Sequence, residues 1–220
     1  MGGFLKSSVA KKFAMALSGL FLVLFLLQHF SINFLSVLSP ELFNETSHFM
    51  GTNVLVQFLL QPVLILGIIF HFVMGIYLEV KNNQARPVKY KKFNGGSNSS
   101  WMSRNMIFTG LVVLAFLGLH FYDFWIPEIV HKYVEGSPED AGRYYGELVE
   151  KFEDPIRVGL YVISFIFLML HLLHGFSASF QSAGWHSKYK PWIRKATVAL
   201  SVIIPLGFIF IALFHYITNV

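Results

Sequence analysis

Five long apolar runs constrain this chain more than any other feature. They lie near residues 13–38, 53–80, 105–127, 156–183 and 196–218. Each reaches the roughly 20 residues that a helix needs to cross the hydrocarbon core of a bilayer. Inside that core the backbone must satisfy its own hydrogen bonds, so runs of this kind span as helices. The expected fold is all-α, an integral membrane bundle of five transmembrane helices, with residues 1–220 forming one domain. Charged residues are 13% of the chain, against about a quarter in soluble domains. The first run is too long for a signal-peptide core and lacks a small-x-small cleavage site, so it reads as a retained span. Pro62 and Pro205 fall within runs, where a kink is expected rather than a break.

Lys and Arg sort between the two sides. Lys6, Lys11 and Lys12 precede the first run; Lys81, Arg86, Lys89, Lys91, Lys92 and Arg104 fill the second connection; Lys188, Lys190, Arg194 and Lys195 fill the fourth. Those are 13 of the 17 basic residues. The other four, Lys132, Arg143, Lys151 and Arg157, lie in or beside a connection rich in acids, including Glu135, Glu139, Asp140, Glu147, Glu150, Glu153 and Asp154. The positive-inside rule then predicts a cytoplasmic N-terminus and a C-terminus outside. The formal charge of +5 follows topology and calls for no nucleic-acid partner. Asn94 to Ser100 reads as a flexible loop, and 128–155 as a partly helical segment over the outer face. No compelling internal repeat is evident.

Four of these runs each contain a histidine: His29, His71, His120 and His171. Imidazole in a membrane helix is rare and usually functional. At about 1.5 Å of rise per residue, His29 and His120 fall towards the outer ends of two outward-running helices. His71 and His171 fall towards the inner ends of two inward-running ones. Two facing pairs at matched depths suit the axial sites of two six-coordinate haem irons, so the chain reads as a cytochrome of the b type. The absence of cysteine removes thiolate ligation, c-type attachment, iron–sulfur ligation and disulfides. Depth alone leaves His171 and His174, one turn apart, as alternatives. His71 with Gly75 and His171 with Gly175 share a His-x-x-x-Gly pattern, in which glycine clears the helix where a macrocycle edge approaches. That pattern favours His171 and makes His174 a pocket or propionate neighbour.

Blander roles cover the remaining histidines. His215, near the outer end of the fifth run, reads as an interfacial anchor, and His131 and His186 as loop residues without a role. His48 opens the second helix on the outer side, as a helix-start residue or as part of a site. Asp123 is the one carboxylate near a helix interior, towards the outer end. Most of the 24 Phe suit lipid-facing surfaces.

Several segments carry a family resemblance that runs through nearly the whole chain. They are Leu27-Gln28-His29-Phe30, Ser47-His48-Phe49-Met50, Phe70-His71 with Gly75, Leu119-His120, and His171 with Gly175, Ser179-Phe180-Gln181 and Gly184-Trp185. The chain resembles the cytochrome b558 subunit of bacterial succinate dehydrogenase or fumarate reductase, in its single-polypeptide, two-haem form. The resemblance implies His29, His71, His120 and His171 as ligands of two haem b irons, with none from the fifth helix. It also implies a flavoprotein subunit and an iron–sulfur subunit docked on the cytoplasmic side. Electrons would be exchanged with quinone, usually menaquinone, in the bacterial cytoplasmic membrane. Some fumarate-reducing members have a glutamate two residues before the fourth-helix ligand; here that position is Met169, which puts a glutamate-dependent proton route in doubt. Quinone chemistry needs protons, and Glu45 and His48 are the candidates nearest the outer haem. One rival reading is the di-haem anchor of a formate dehydrogenase or hydrogenase, disfavoured by the missing fifth-helix ligand. Another is a proton-coupled transporter with histidine relays, which would call for acidic partners at depth.

Overall fold

The computed structural model describes residues 7–84, 104–136, 140–184 and 190–219. The loop 94–100, the basic residues Lys6, Arg86, Lys89, Lys91, Lys92 and Lys188, and Glu139, Trp185 and His186 lie outside the described residues. Among the described residues seven helices follow one another: α1 (Ser8–Leu38), α2 (Pro40–Thr52), α3 (Val56–Gln84), α4 (Met106–Tyr133), α5 (Arg143–Phe152), α6 (Pro155–Ser182) and α7 (Lys190–Asn219). No strand occurs among the described residues. Helices α1, α3, α4, α6 and α7 are long and apolar enough to cross a membrane, so this is a multi-pass membrane protein. Its many exposed Leu, Ile, Val and Phe side chains face lipid, which is as apolar as they are.

Local chemistry sets the helix boundaries. Ser7 caps α1 by accepting the Ala10 N–H at 3.0 Å, and Asp154 caps α6 by accepting that of Ile156 at 2.9 Å. Ser39, extended at φ −158°, both ends α1 and caps α2, with Pro40 pre-set for the first helical turn. Asn53 breaks the chain again, and its Oδ1 accepts the N–H groups of Leu55 and Val56 at 3.0 and 3.2 Å. Gly184, at φ +81°, follows the end of α6 in the left-handed conformation that glycine adopts without strain.

Two corrections to the expected spans follow. The polar helix α2 precedes the second span as a separate element, so His48 lies on α2 and does not open the span. The third span continues as helix to Tyr133 instead of ending near 127. Both changes involve a π-helical turn two residues before a proline: Val56–Leu60 before Pro62, and Phe121–Trp125 before Pro127. Proline offers no N–H to the carbonyl four residues back and its ring crowds that carbonyl. A wider turn, closed by Gln61 N–H to Val56 O and Ile126 N–H to Phe121 O, accommodates it. At Pro205 the helix runs on.

Helices α1, α3, α4 and α6 form a ring in which each touches the next, and α7 packs outside it against α6 and α1. The tightest core lies between α6 and α7, around Tyr161, Phe165, Leu168, Ile204, Phe208 and Ala212. Phe43 of α2 and Leu148 and Phe152 of α5 close this core at the end opposite Ser8. By contrast no residue between Gln61 and Gln84 is buried. An apolar cavity of about 410 Å³ separates α3 from α4, lined by Ile65, Ile68 and Ile69 on one side and Leu114, Leu117 and Gly118 on the other.

Candidate haem sites across the bundle

The four candidate ligands come from the four helices of the ring, and each pair spans a diagonal. His29 of α1 meets His120 of α4 with ring centroids 5.7 Å apart and planes at 82°. His71 of α3 meets His171 of α6 at 6.4 Å and 72°. The ring that meets His71 is therefore that of His171; His174, one turn on, is half-buried. Two imidazoles bound to opposite sides of one metal, each through a bond of roughly 2 Å, place their ring centres about 6 Å apart. Both separations fit that requirement.

The depth of each pair can be read along α1. A Cβ on Gly19 would lie 3.3 Å from His71 Cε1, so Gly19 marks the level of the His71–His171 pair. His29 is ten residues further on, about 15 Å along the helix. Gly110 of α4 faces His171 in the same way, at 3.4 Å, and His120 follows it by ten residues. The two levels are thus about half a hydrocarbon thickness apart.

The pair nearer the start of α1 has hydroxyl partners that sequence reasoning missed. Ser18 Oγ lies 3.0 Å from His71 Nδ1, and Thr109 Oγ1 lies 3.3 Å from His171 Nδ1. The signal was present as an internal repeat, contrary to the expectation of none. Met15–Phe30 and Met106–Phe121 align without gaps at an offset of 91, with Met, Gly, Leu, Phe, Leu, His and Phe identical at seven positions and Ser18 opposite Thr109. The structure repeats the contacts as well. Phe25 stacks on His29 and Phe116 on His120, each one turn before its histidine. Met15 Cε would touch a Cβ on Gly75 at 3.5 Å, and Met106 Cε one on Gly175 at 2.8 Å. Met15 is thus in ordinary contact with Gly75, and Met106 packs closely over Gly175.

The His29–His120 pair is walled by aromatic rings. Phe208 lies 5.8 Å from His29, while Phe124 and Tyr161 lie 5.3 and 6.4 Å from His120. Asn33 donates to the His29 carbonyl at 2.8 Å, with its amide nitrogen 3.4 Å from each ring nitrogen. His120 Nδ1 is buried without a hydrogen-bond partner, an orphaned donor–acceptor of the kind a ligand would satisfy. One turn beyond His120, Asp123 is buried and fully used: Arg157 donates to Oδ1 at 2.7 Å and Tyr161 to Oδ2 at 2.8 Å. Arg157, read from sequence as an outlying basic residue, is this carboxylate's counter-charge. Its spacing of four from Tyr161 puts both on one face of α6.

The proposed quinone-site residues occupy α2. His48 is half-buried, its ring 6.3 Å from that of Tyr144, and its Nδ1 is buried without a partner. Glu45, one turn earlier, is exposed. Beside them lies a charged cluster joining three elements. Glu128 of α4 pairs with Lys132 and with Arg143 of α5, and Arg143 also donates to Glu147 at 2.6 Å. Lys132 also donates to the Gly51 carbonyl. A Cβ at Gly51 would stand 2.9 Å from both Glu128 Oε1 and Tyr144 Oη, so a larger residue there would push the ends of these side chains aside. Burial opposes the Arg143 charge, but the two carboxylates outweigh it and hold its pKa above the ordinary value. Burial, reinforced by Glu128, pushes the Tyr144 phenol up to about 12.

Two other histidines differ from expectation. His215 is not an interfacial anchor: it is fully buried, its Nε2 is 2.9 Å from Ser36 Oγ, and its ring meets Tyr145 edge-on. Helix α5 covers the place where a lipid interface was expected. His131 lies on helix α4, with Nδ1 3.2 Å from Glu135 Oε2.

The chain is similar to a curated cytochrome. It is 22% identical over 153 residues to the succinate dehydrogenase cytochrome b558 subunit of Bacillus subtilis (strain 168), covering 69% of this chain and 68% of that one. No family model matches the chain, and no solved structure matches it.

Proposed function

We propose that this chain is the di-haem b membrane anchor of a succinate:quinone oxidoreductase in the bacterial cytoplasmic membrane, forming one domain over its whole length. The observation that carries this reading is the pairing of imidazoles across both diagonals of the helix ring, at two levels. His71 and His171 hold one haem b iron, His29 and His120 the other. The similarity to a succinate dehydrogenase cytochrome b558 subunit supports the choice of complex.

When bound, the haems supply one-electron carriers at two depths. The chain's own residues hold each imidazole pair on helices rather than loops, exclude water with Phe25, Phe116, Phe208 and Tyr161, and keep the two levels about 15 Å apart. Orientation follows the basic residues, so His71 and His171 lie nearer the cytoplasm, where a flavoprotein and an iron–sulfur subunit dock. Quinone, of the menaquinone class, reacts near the His29–His120 level. There Glu45 and His48 offer protonatable groups on α2, and His48 Nδ1 is free to accept or donate.

The test is isolation of the complex in mild detergent. The expected result is two protohaems per copy of this chain by pyridine haemochrome, together with flavin and iron–sulfur subunits. A colourless chain, or one haem per chain in a complete complex, would refute the two-pair reading.

A further inference from the structure

The hydroxyls beside the His71–His171 pair have a donor count that fixes which nitrogen of each imidazole is free. A serine or threonine hydroxyl has one proton to give and two lone pairs to accept with. Ser18 Oγ is 2.8 Å from the Met15 carbonyl and 3.0 Å from His71 Nδ1. Thr109 Oγ1 is 2.9 Å from the Met106 carbonyl and 3.3 Å from His171 Nδ1. A carbonyl can only accept. If the hydroxyl proton goes to the carbonyl, the imidazole must donate from Nδ1, and both contacts become hydrogen bonds. If the proton goes to Nδ1, the carbonyl contact is lost. In a low-dielectric bundle the arrangement that satisfies both contacts is favoured. Back-bonding of this kind is the habit of other hydroxyls here, such as Ser164 on the Leu160 carbonyl at 2.7 Å.

We propose that Ser18 and Thr109 are positioning residues for the haem held by His71 and His171: each accepts the Nδ1–H of its histidine, turns the Nε2 lone pair towards the iron, and lowers that haem's reduction potential. This inference rests on the function proposed above. The physical basis is that a ligating imidazole whose far N–H is hydrogen-bonded becomes a stronger donor and so favours the ferric state. Gly19 and Gly110, the next residues in each helix, complete the arrangement. A Cβ at either would press on the imidazole at 3.3 or 3.4 Å, so the same two-residue element, Ser-Gly or Thr-Gly, supplies the acceptor and the space. The element occurs twice at the offset of 91 that also relates His29 to His120. The other pair has no such hydroxyl: His29 has the Asn33 amide at 3.4 Å, and His120 Nδ1 has no partner. The two haems are therefore tuned by different means.

The experiment is redox titration and low-temperature EPR of the intact complex carrying Ser18→Ala, Thr109→Val or both. Ser18→Thr with Thr109→Ser keeps both hydroxyls, and Ser164→Ala is a control that removes a back-bonded hydroxyl elsewhere. One of the two midpoint potentials should rise in the double variant, with a change in the matching low-spin g values. Each tenfold change in the oxidised-to-reduced ratio reads as about 59 mV for a one-electron couple. The other haem, the hydroxyl-keeping pair and the Ser164 control should stay at wild-type values. Loss of one haem from the double variant, with both retained when the hydroxyls are kept, would support the same role. Unchanged potentials and g values in the double variant would overturn it, as would an equal shift or loss in the hydroxyl-keeping pair, which would mark the effect as packing. A wild-type complex without haem would instead sink the functional reading itself.

Discussion

Replacing Asp123 with alanine should be the most damaging single change in the half of the ring that holds His29 and His120, for reasons that can be counted. The carboxylate is fully buried and both its oxygens are occupied, one by Arg157 at 2.7 Å and one by Tyr161 at 2.8 Å. Removing one partner of a buried ion pair costs about 3–5 kcal/mol, because the other charge is left uncompensated. The Arg157 side chain is 26% exposed, so water relieves part of that and the lower end, about 3 kcal/mol, applies. Tyr161 is 2% exposed and loses its acceptor, adding about 1 kcal/mol at the least. Asp123→Ala should therefore cost about 4 kcal/mol. Adding Arg157→Met to it should recover about 2 kcal/mol by removing the stranded charge. Equilibrium unfolding in mixed detergent micelles, run as a double-mutant cycle, measures both quantities. Because Tyr161 also faces His120, the haem proposed for that histidine should be the first lost on partial unfolding. A loss below about 1 kcal/mol for Asp123→Ala, with no coupling to Arg157, would refute the reasoning.

Three further outcomes are expected. His29→Ala and His120→Ala should each remove one haem and His71→Ala and His171→Ala the other, while His174→Ala keeps both; loss of the haem only with His174→Ala in the last comparison would reassign the α6 ligand. The double substitution Glu45→Gln with His48→Ala should impair quinone turnover while both haems stay bound and dye reduction by succinate persists, and full quinone activity would make α2 a structural cover. The Tyr144 phenol, pushed up to about 12 by burial and Glu128, binds its proton more tightly folded than unfolded. Stability should therefore fall as pH rises from about 10 to about 12, and less so in Tyr144→Phe, as followed by unfolding at stepped pH with tyrosinate absorbance at 295 nm.

The five spans were legible because the bilayer imposes a length and an apolar composition that few other structures satisfy. Their ends were less so. Ser39-Pro40 and Asn53 are ordinary cap and break signals, yet the polar helix between them was assigned no element of its own because no apolar window marks it. The third run loses its unbroken apolar character near 127, where Pro127 stands. The π-helical turn before it lets the helix continue, and that turn depends on which carbonyls can move, which a sequence does not display. His215 failed differently. Its partner Ser36 is 179 positions away, and its cover comes from Tyr145 on a short helix that had only a loose expectation.

The pairing of the four histidines was legible from depth because each lies in its own span and the direction of the spans alternates. What depth could not supply was the second layer of contacts, since a hydroxyl in a membrane helix ordinarily bonds its own backbone. The internal repeat shows how both layers arise together. α1 with α3 carries His29 and His71, 42 positions apart; α4 with α6 carries His120 and His171, 51 apart. The difference of nine residues falls in the connections, where α2 occupies one and the end of α4 with α5 the other. Each helical hairpin therefore brings one imidazole to each level, and its first helix brings the hydroxyl and glycine that serve the hairpin's own second-helix histidine at one level and, through Phe25 or Phe116, the stacking partner at the other. Neither hairpin alone can close a pair. Assembly of the ring and the meeting of both imidazole pairs are therefore the same event, to which α3 contributes His71 although it buries no residue of its own between Gln61 and Gln84.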